Sequence, residues 1–494
     1  MALVLADGHN VEGKCWHYLD IPSEEEEFIE DIKQRNDPNF VNCYGLSALA
    51  MAVRVFQSSD LVKKLLDMGA DPNLESYIGR FAGKRKMKSP SGSPLHLAAW
   101  INNSKMLELL LGRKANPNAV SSQGYTPLLL ALADRPSSMG KRPGSVDEKG
   151  ALKVIEILAS SGADLCLTKY NEHQEDSSLL HLAAKRGYCS IVKHVITHKG
   201  IALDCRDNEG NTPLMIAVNG GFYEIGKVLL DRGAALSCKN LNGYTALHFA
   251  KNVDVLRILV QRGADVNARE NSGRTALHFA ASVEMARILL EQGADVNAKD
   301  DTGQTILHHI AKNDQFLNNL DIDLMNCLVD YNADINVSDN FGFRPLHLVI
   351  RGRKKCVNTS KIKFLIENGA DPFLPDGLGR IPLSYFTAFK SEDYVKQISL
   401  LLPESRTHRS LKDIFGRPPL HSFVLYFLEL SQVLGEERPL HEFEDIIRTF
   451  VKAGIEINCQ DIGGNQYNLL KANVFRICLS CFVFVRLFFN SRRL

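Results

Sequence analysis

Apolar residues recur along this chain in paired short clusters. Ala246-Leu247-His248-Phe249-Ala250 follows Thr245, and its unit closes with Gly263-Ala264-Asp265-Val266-Asn267-Ala268. The pattern then restarts: Thr275 precedes Ala276-Leu277-His278-Phe279-Ala280, a Leu289-Leu290 pair comes later, and Gly293-Ala294-Asp295-Val296-Asn297-Ala298 closes the unit. Self-similarity at 30 to 33 residues marks an array of helix–turn–helix repeats. The first cluster predicts a helix whose Leu and Ala face neighbouring helices, small Ala allowing close packing. The Leu-Leu pair predicts the buried face of a second helix. Thr before the first cluster, as in Thr212-Pro213-Leu214, suits the N-cap, and Pro then sits where a missing N–H costs nothing. Gly of Gly-Ala-Asp falls just past the second helix, where a left-handed backbone is needed. The Asp and Asn after it suit a tight turn.

Units of this kind open near Gly45, Ser93, Gly124, Leu180, Gly210, Gly243, Gly273, Gly303 and Gly342. The step from Gly210 to Gly243 is 33 residues, whereas Gly243 to Gly273 and Gly273 to Gly303 are 30 each. The shorter steps predict a shortened helix pair in those two units. Residues 1–40 form a pre-repeat, capping segment, residues 41–471 the array, and residues 472–494 a hydrophobic tail. Within the array, insertions fall near 80–90 and 134–149, and degenerate units follow Asp376 at Gly379, Gly416 and Gly464, for about eleven to twelve units in all. In the pre-repeat segment Ser23 to Glu27 precedes Phe28-Ile29-Glu30-Asp31-Ile32. This predicts a short helix with its carboxylates facing the helix dipole, a solvated cap or an acidic docking peptide. The insertion Gly83-Lys84-Arg85-Lys86-Met87-Lys88-Ser89-Pro90 reads first as a solvated loop, with nuclear import or phosphate binding as sharper alternatives.

Composition narrows the partners. A net charge of +1 argues against a general nucleic-acid binder. Eleven irregularly spaced cysteines fit free thiols in a reducing compartment. The N-terminus has no basic start and too short an apolar run for a signal peptide. Together these place the chain in the cytoplasm, with the nucleus as an alternative. From Val474 to Phe489 the tail is apolar but interrupted by Arg476 and Arg486, leaving nine unbroken residues from Ile477 to Val485. A membrane helix needs about twenty, and buried arginines would be costly.

The combination of Thr-Pro/Ala-Leu-His with Gly-Ala-Asp-Val-Asn-Ala, repeated at this spacing, resembles the ankyrin repeat family over roughly residues 41–470. The resemblance implies an all-α repeat solenoid of stacked helix–turn–helix units with projecting β-hairpins. It further implies that a partner protein is held on a concave face made by hairpin tips and first helices. The residues around each finger glycine would touch it: Asn208, Glu209 and Asn211; Leu241, Asn242 and Tyr244; Asn271, Ser272 and Arg274; Asp301, Thr302 and Gln304; Asn340, Phe341 and Phe343. Tyr244, Arg274, Phe341 and Phe343 are the types that dominate interface energetics. In the same family, asparagines placed like Asn267 and Asn297 can be hydroxylated, which would make this chain an enzyme's substrate.

Chemistry has little to stand on. His96, His181, His248, His278, His308, His347 and His421 recur at one motif position, set by the repeat, where each ring would bond hairpin backbone between units. His308 and His309 are adjacent and so cannot be ligands on one helix face. His441-Glu442-Phe443-Glu444 lacks the second His of a zinc protease, and Cys478-Leu479-Ser480-Cys481 lacks a partner pair. No phosphate loop or nucleophile elbow is present. The expectation is a monomeric, non-enzymatic scaffold without cofactor or metal that binds protein and not nucleic acid. The rivals are an adaptor that recruits substrates to a ubiquitin ligase or signalling complex, and a membrane-associated array using the tail.

Overall fold

In the computed structural model, the described residues are 25–42, 45–77, 91–132, 148–166, 178–312, 319–351, 359–385 and 394–401. The basic insertion, most of the 134–149 insertion, the degenerate units beyond Leu401 and the hydrophobic tail lie outside them. Two compact units divide at Asp265 and Val266.

The first unit opens with the helix Glu25–Arg35, which carries Glu25, Glu26 and Glu27 in its first turn and buries Phe28, Ile29 and Ile32. Phe28 packs on Phe56 at 5.0 Å. Helix pairs follow. Pro94–Trp100 precedes Ser104–Gly112, Pro127–Leu132 precedes Glu148–Ser160, Leu179–Arg186 precedes Cys189–Val195, and Pro213–Asn219 precedes Tyr223–Asp231. The helix after the insertion expected near 134–149 starts at Glu148, just inside that segment. An acidic first turn favours the earlier start, and the Glu148 carboxylate also accepts the Ser190 N–H.

The second unit continues the pattern with Val283–Glu291, Ile306–Lys312, Asn319–Asp330, Pro345–Arg351 and Thr359–Glu367. A buried ion pair ties three of these helices together: Lys361 Nζ lies 2.7 Å from Asp321 and donates to the Ile310 carbonyl at 2.7 Å.

The two 30-residue steps do shorten a helix, but only the first of each pair. Ala246–Phe249 in the first unit and Ala276–Phe279 in the second are four-residue 3-10 turns. Their second helices, Val253–Gln261 and Val283–Glu291, keep nine residues, the length of Tyr223–Asp231. The second helix carries the amphipathic face that packs on its neighbours, so the loss falls on the first helix and the turn after it.

Local capping follows the sequence. The Thr212 hydroxyl accepts the Met215 N–H at 3.4 Å, with Pro213 in the first turn. Past the second helices, Gly69, Gly162, Gly233, Gly263, Gly293 and Gly369 adopt φ between +84° and +91°. Two units lack that glycine, and there Lys114 and Asn332 take the left-handed conformation instead, at φ +66° and +64°. Among the described residues the projecting hairpins are mostly tight turns. One pair has strand character, Ser76–Tyr77 antiparallel to Ser91–Gly92.

Candidate interaction surface

Each finger is closed by the residue three positions before its glycine. Asp207 Oδ1 accepts the N–H groups of Glu209 and Asn211, at 2.9 and 2.8 Å. Asn240, Asp300, Asp339 and Asp376 do the same in their own fingers. At position 270 a glutamate takes this place. Its longer side chain accepts the Arg274 N–H at 3.1 Å and the Arg274 guanidinium at 3.0 Å. This engagement holds the Glu270 carboxyl below its usual range against the opposing effect of burial.

Fingers also bond to one another within each unit. The Leu241 N–H donates to the Glu209 carbonyl at 3.0 Å in the first unit. In the second, Asp301 donates to Ser272, Asn340 to Thr302 and Gly377 to Phe341, at 2.9 to 3.0 Å. These approaches explain the finger glycines. Gly210 has φ +77°, and a Cβ there would meet the Leu241 nitrogen at 2.9 Å; at Gly342, φ +80°, it would run into the Gly377 nitrogen. Only glycine combines that dihedral with so close a neighbour.

Behind the fingers stand the histidines. Nδ1 of His96, His181 and His308 accepts the backbone N–H of the capping Ser or Thr at 3.1 to 3.2 Å, and in the unit capped by Arg344, Nδ1 of His347 accepts that N–H at 3.3 Å. Nε2 then meets a carbonyl of the following finger: Tyr125 for His96, Asn211 for His181, Phe343 for His308 and Arg380 for His347, at 3.0 to 3.1 Å. An acceptor at Nδ1 and a donor at Nε2 describe one neutral tautomer. Burial lowers the pKa of His181 and His308 and brings His96 and His347 to about 4, with backbone hydrogen bonds opposing it. These rings are therefore structural cross-ties between units, as their motif position implies. Among the described residues no group of three or more His, Cys, Asp or Glu is placed to hold a metal ion. His421, His441 and the Cys478–Cys481 pair lie outside those residues.

The structure separates the expected contact residues into two sets. Asn208, Glu209, Leu241, Asn242, Asn271, Ser272, Asp301, Thr302, Asn340 and Phe341 are exposed finger tips. The residue after each glycine lies deeper. Asn211 is only 8% exposed. Its side chain bonds Asp207, Glu209 and Asn240 and joins two fingers. Tyr244 is half-buried against His248 and Phe249, with ring centroids 5.6 and 5.4 Å away. Arg274 lies 4.7 Å over the Phe279 ring. Gln304 donates to Asp339 at 3.0 Å. Phe343 packs on Tyr385 at 5.5 Å and carries Arg351 at 4.8 Å.

Asn267 and Asn297 stand in the opposite turns, after the second helices, where they bridge units. Asn267 donates to the Gly293 carbonyl at 2.9 Å and accepts the Asp295 N–H at 2.8 Å. Asn297 accepts the Asp334 N–H at 2.8 Å. Asn73, Asn118 and Asn336 make the same double bridge.

Arg351, Leu378, Arg380 and Tyr385 were not expected at this surface. Leu378 and Arg380 flank Gly379 as the other expected residues flank theirs, so the degenerate unit held the signal. Arg351 and Tyr385 are brought there by helix packing.

Stacked two-helix units joined by bonded fingers define a helical-repeat array. Residues 145–240, 233–300 and 284–359 match a model of ankyrin repeats, and residues 93–122 match that of the single ankyrin repeat; over these residues the chain is built of ankyrin repeats. It is 27% identical over 171 residues to Alpha-latrotoxin-Lg1a of Latrodectus geometricus, covering 33% of this chain and 11% of that protein. To the Nuclear factor NF-kappa-B p105 subunit of Gallus gallus it is 35% identical over 191 residues, 34% of this chain and 18% of that one. To ANK repeat-containing protein nipk-1 of Caenorhabditis elegans it is 31% identical over 171 residues, 33% of this chain and 24% of that one. The chain thus spans less than a quarter of the length of these curated relatives. Protein binding is the general role of ankyrin repeats, which are as a rule non-catalytic. Among the described residues no helix is long and apolar enough to cross a membrane.

Proposed function

We propose that this chain is a non-enzymatic, monomeric scaffold that holds a partner protein on its finger tips and first helices. One observation carries the reading. The finger bases are locked by internal bonds while the ten tip residues named above face solvent. A surface built this way is largely preformed, so little ordering entropy is lost on binding. The tips carry few charges of either sign, which favours protein over nucleic acid, and the reading requires no cofactor.

The test is affinity capture from cell lysate on the full chain, beside a variant with the tip residues Glu209, Leu241, Asp301 and Phe341 changed to Ala. A partner held by the first and lost by the second supports the finger surface. Partners retained equally by both refute it. Ubiquitin-ligase subunits among the captured proteins would turn the scaffold into an adaptor, and co-sedimentation with membranes would favour the tail-anchored alternative. Asn267 and Asn297 remain our candidates for hydroxylation; intact mass of the protein purified from cells checks this, and an unmodified mass refutes it.

A further inference from the structure

The fingers 339–343 and 376–380 differ from their neighbours in what they present. Their tips are apolar: Phe341 is 67% exposed and Leu378 41%, on fingers joined by the bond from Gly377 to Phe341. Behind the tips lies an arginine–aromatic stack. The Phe343 and Tyr385 rings meet edge to face at 5.5 Å. The Arg351 guanidinium sits 4.8 Å from the Phe343 centroid and 5.7 Å from that of Tyr385, and Arg380 lies 4.5 Å over Tyr385.

The acids of this region are turned inward. Asp339 is occupied by the N–H groups of Phe341 and Phe343 and by the Gln304 amide. Asp376 is occupied by the N–H groups of Leu378 and Arg380 and by the Tyr385 hydroxyl, with Arg380 Nε at 3.5 Å. Both are buried. Arg344 binds the carbonyls of Gly342 and Pro375. Among the described residues no carboxylate pairs with Arg344 or Arg351. Arg351 is exposed, yet two rings hold its plane. A guanidinium fixed in this way has already lost much of its rotamer freedom and offers a fork that matches a carboxylate. A cation with no carboxylate partner among the described residues, beside an exposed apolar tip, is complementary to an acidic surface with an apolar side chain in it.

We infer that this patch docks an acidic segment of a partner protein, with a carboxylate on Arg351 and a neighbouring apolar side chain on Phe341 and Leu378. The inference rests on the reading of the fingers as a partner-binding face and names the chemistry of what binds there. A phosphate backbone is the weaker fit. Strands without sequence preference are followed by a basic groove with successive stacking platforms, whereas here buried aspartates lie directly beneath a few cations.

The experiment is fluorescence anisotropy on the full chain with three labelled probes. One is a peptide of Glu and Asp around a single Leu, the second is the same peptide with Gln and Asn in place of the acids, and the third is oligothymidine of equal length. The acidic peptide binds the unaltered chain, more weakly as salt rises. Arg351→Ala and Phe341→Ser each weaken it by at least ~tenfold, and Arg351→Lys weakens it less. Thermal unfolding stays unchanged in Phe341→Ser, whose side chain faces water, and falls only slightly in Arg351→Ala, which loses its stacking on two rings. The inference is overturned if the acidic peptide does not bind, if the amidated peptide binds as well, if Arg351→Ala binds as tightly, or if oligothymidine is preferred. In the lysate capture, a partner lost with Leu241→Ala and Asp301→Ala but kept with Arg351→Ala would sink this inference and leave the finger surface standing. Retention in every variant would sink both.

Discussion

Within the second unit, the repeat opening at Thr275 and the one opening at Arg344 build the same finger-backed platform from different amounts of helix. The first makes a four-residue 3-10 turn and buries Ala276 and Leu277. The second makes the seven-residue helix Pro345–Arg351 and buries every residue from Pro345 to Ile350. Their second helices are equally long, nine residues each. The consequence reaches the histidines. His347 is fully buried and bonds the Arg380 carbonyl at 3.1 Å. His278 is half-buried, and its Nε2 makes no hydrogen bond of ordinary geometry, only a weaker approach to the Gln304 backbone. The finger glycines and turn-closing side chains are equally well set in both repeats. A finger is thus formed locally, but in the repeat opening at Thr275 the cross-tie that locks it to the next one is weaker.

The largest expected effect is that of acid, which acts on both kinds of repeat. Burial holds His96, His278 and His347 at about 4, against 6.5 for the free side chain; for His278 the neighbouring His309, 5.5 Å away, adds to this. Between those values the unfolded chain binds protons that the folded chain does not, so stability rises with pH. The contribution is complete above about 6.5 and is lost as pH falls toward 4, each tenfold difference in proton affinity being worth about 1.4 kcal/mol. Thermal melts by circular dichroism should therefore move to lower temperature from pH 7 to pH 4. A flat profile would mean that these rings titrate normally.

Next in size is the buried ion pair, which belongs to the full-length repeats. Lys361 is 1% exposed. Removing it by Lys361→Ala leaves Asp321 without its cation and should cost about 3–5 kcal/mol. Replacing both partners, Lys361→Met with Asp321→Leu, should recover most of that loss or all of it. A single variant as stable as the parent in urea titrations would show that the pair contributes nothing.

The histidines themselves sharpen the contrast. His347→Gln breaks a bonded cross-tie and should cost about 1–3 kcal/mol. His278→Gln removes a ring whose Nε2 is only weakly engaged and should cost less. Equal losses in thermal melts would mean that the shortened helix does not weaken its finger's attachment.

Much of this architecture was legible in the chain. The period, the caps, the left-handed glycines and the histidine ties follow from residues that each unit repeats, because one local geometry is solved by one set of side chains. The shortened turns were also visible as 30-residue steps, but not which helix would yield, since that depends on which face the neighbours need. Lys361 with Asp321, and Arg351 with Tyr385, could not be read ahead. Each pair joins residues some forty and thirty-four positions apart in sequence, through packing particular to one repeat. Of the residues expected to touch a partner, the two before each glycine are exposed, whereas the one after it lies behind them and is engaged inward, because the finger's own bonds draw that position toward its base.

That last distinction yields the smallest expected effect on stability and a direct check on the division of roles within a finger. Leu241 is 69% exposed and Phe341 67%. Leu241→Ser and Phe341→Ser remove side chains that already face water, and each should shift stability by no more than ~0.5 kcal/mol. Asn211→Ala, four residues from the closing Asp207, should cost more, about 1–2 kcal/mol. It strips partners from Asp207, Glu209 and Asn240 at once. The order, tips neutral and base costly, is what a surface kept free for a partner requires. Were the tip variants the destabilising ones in parallel melts, the exposed apolar residues would be serving the fold, and the case for the fingers as a docking face would lose its main support.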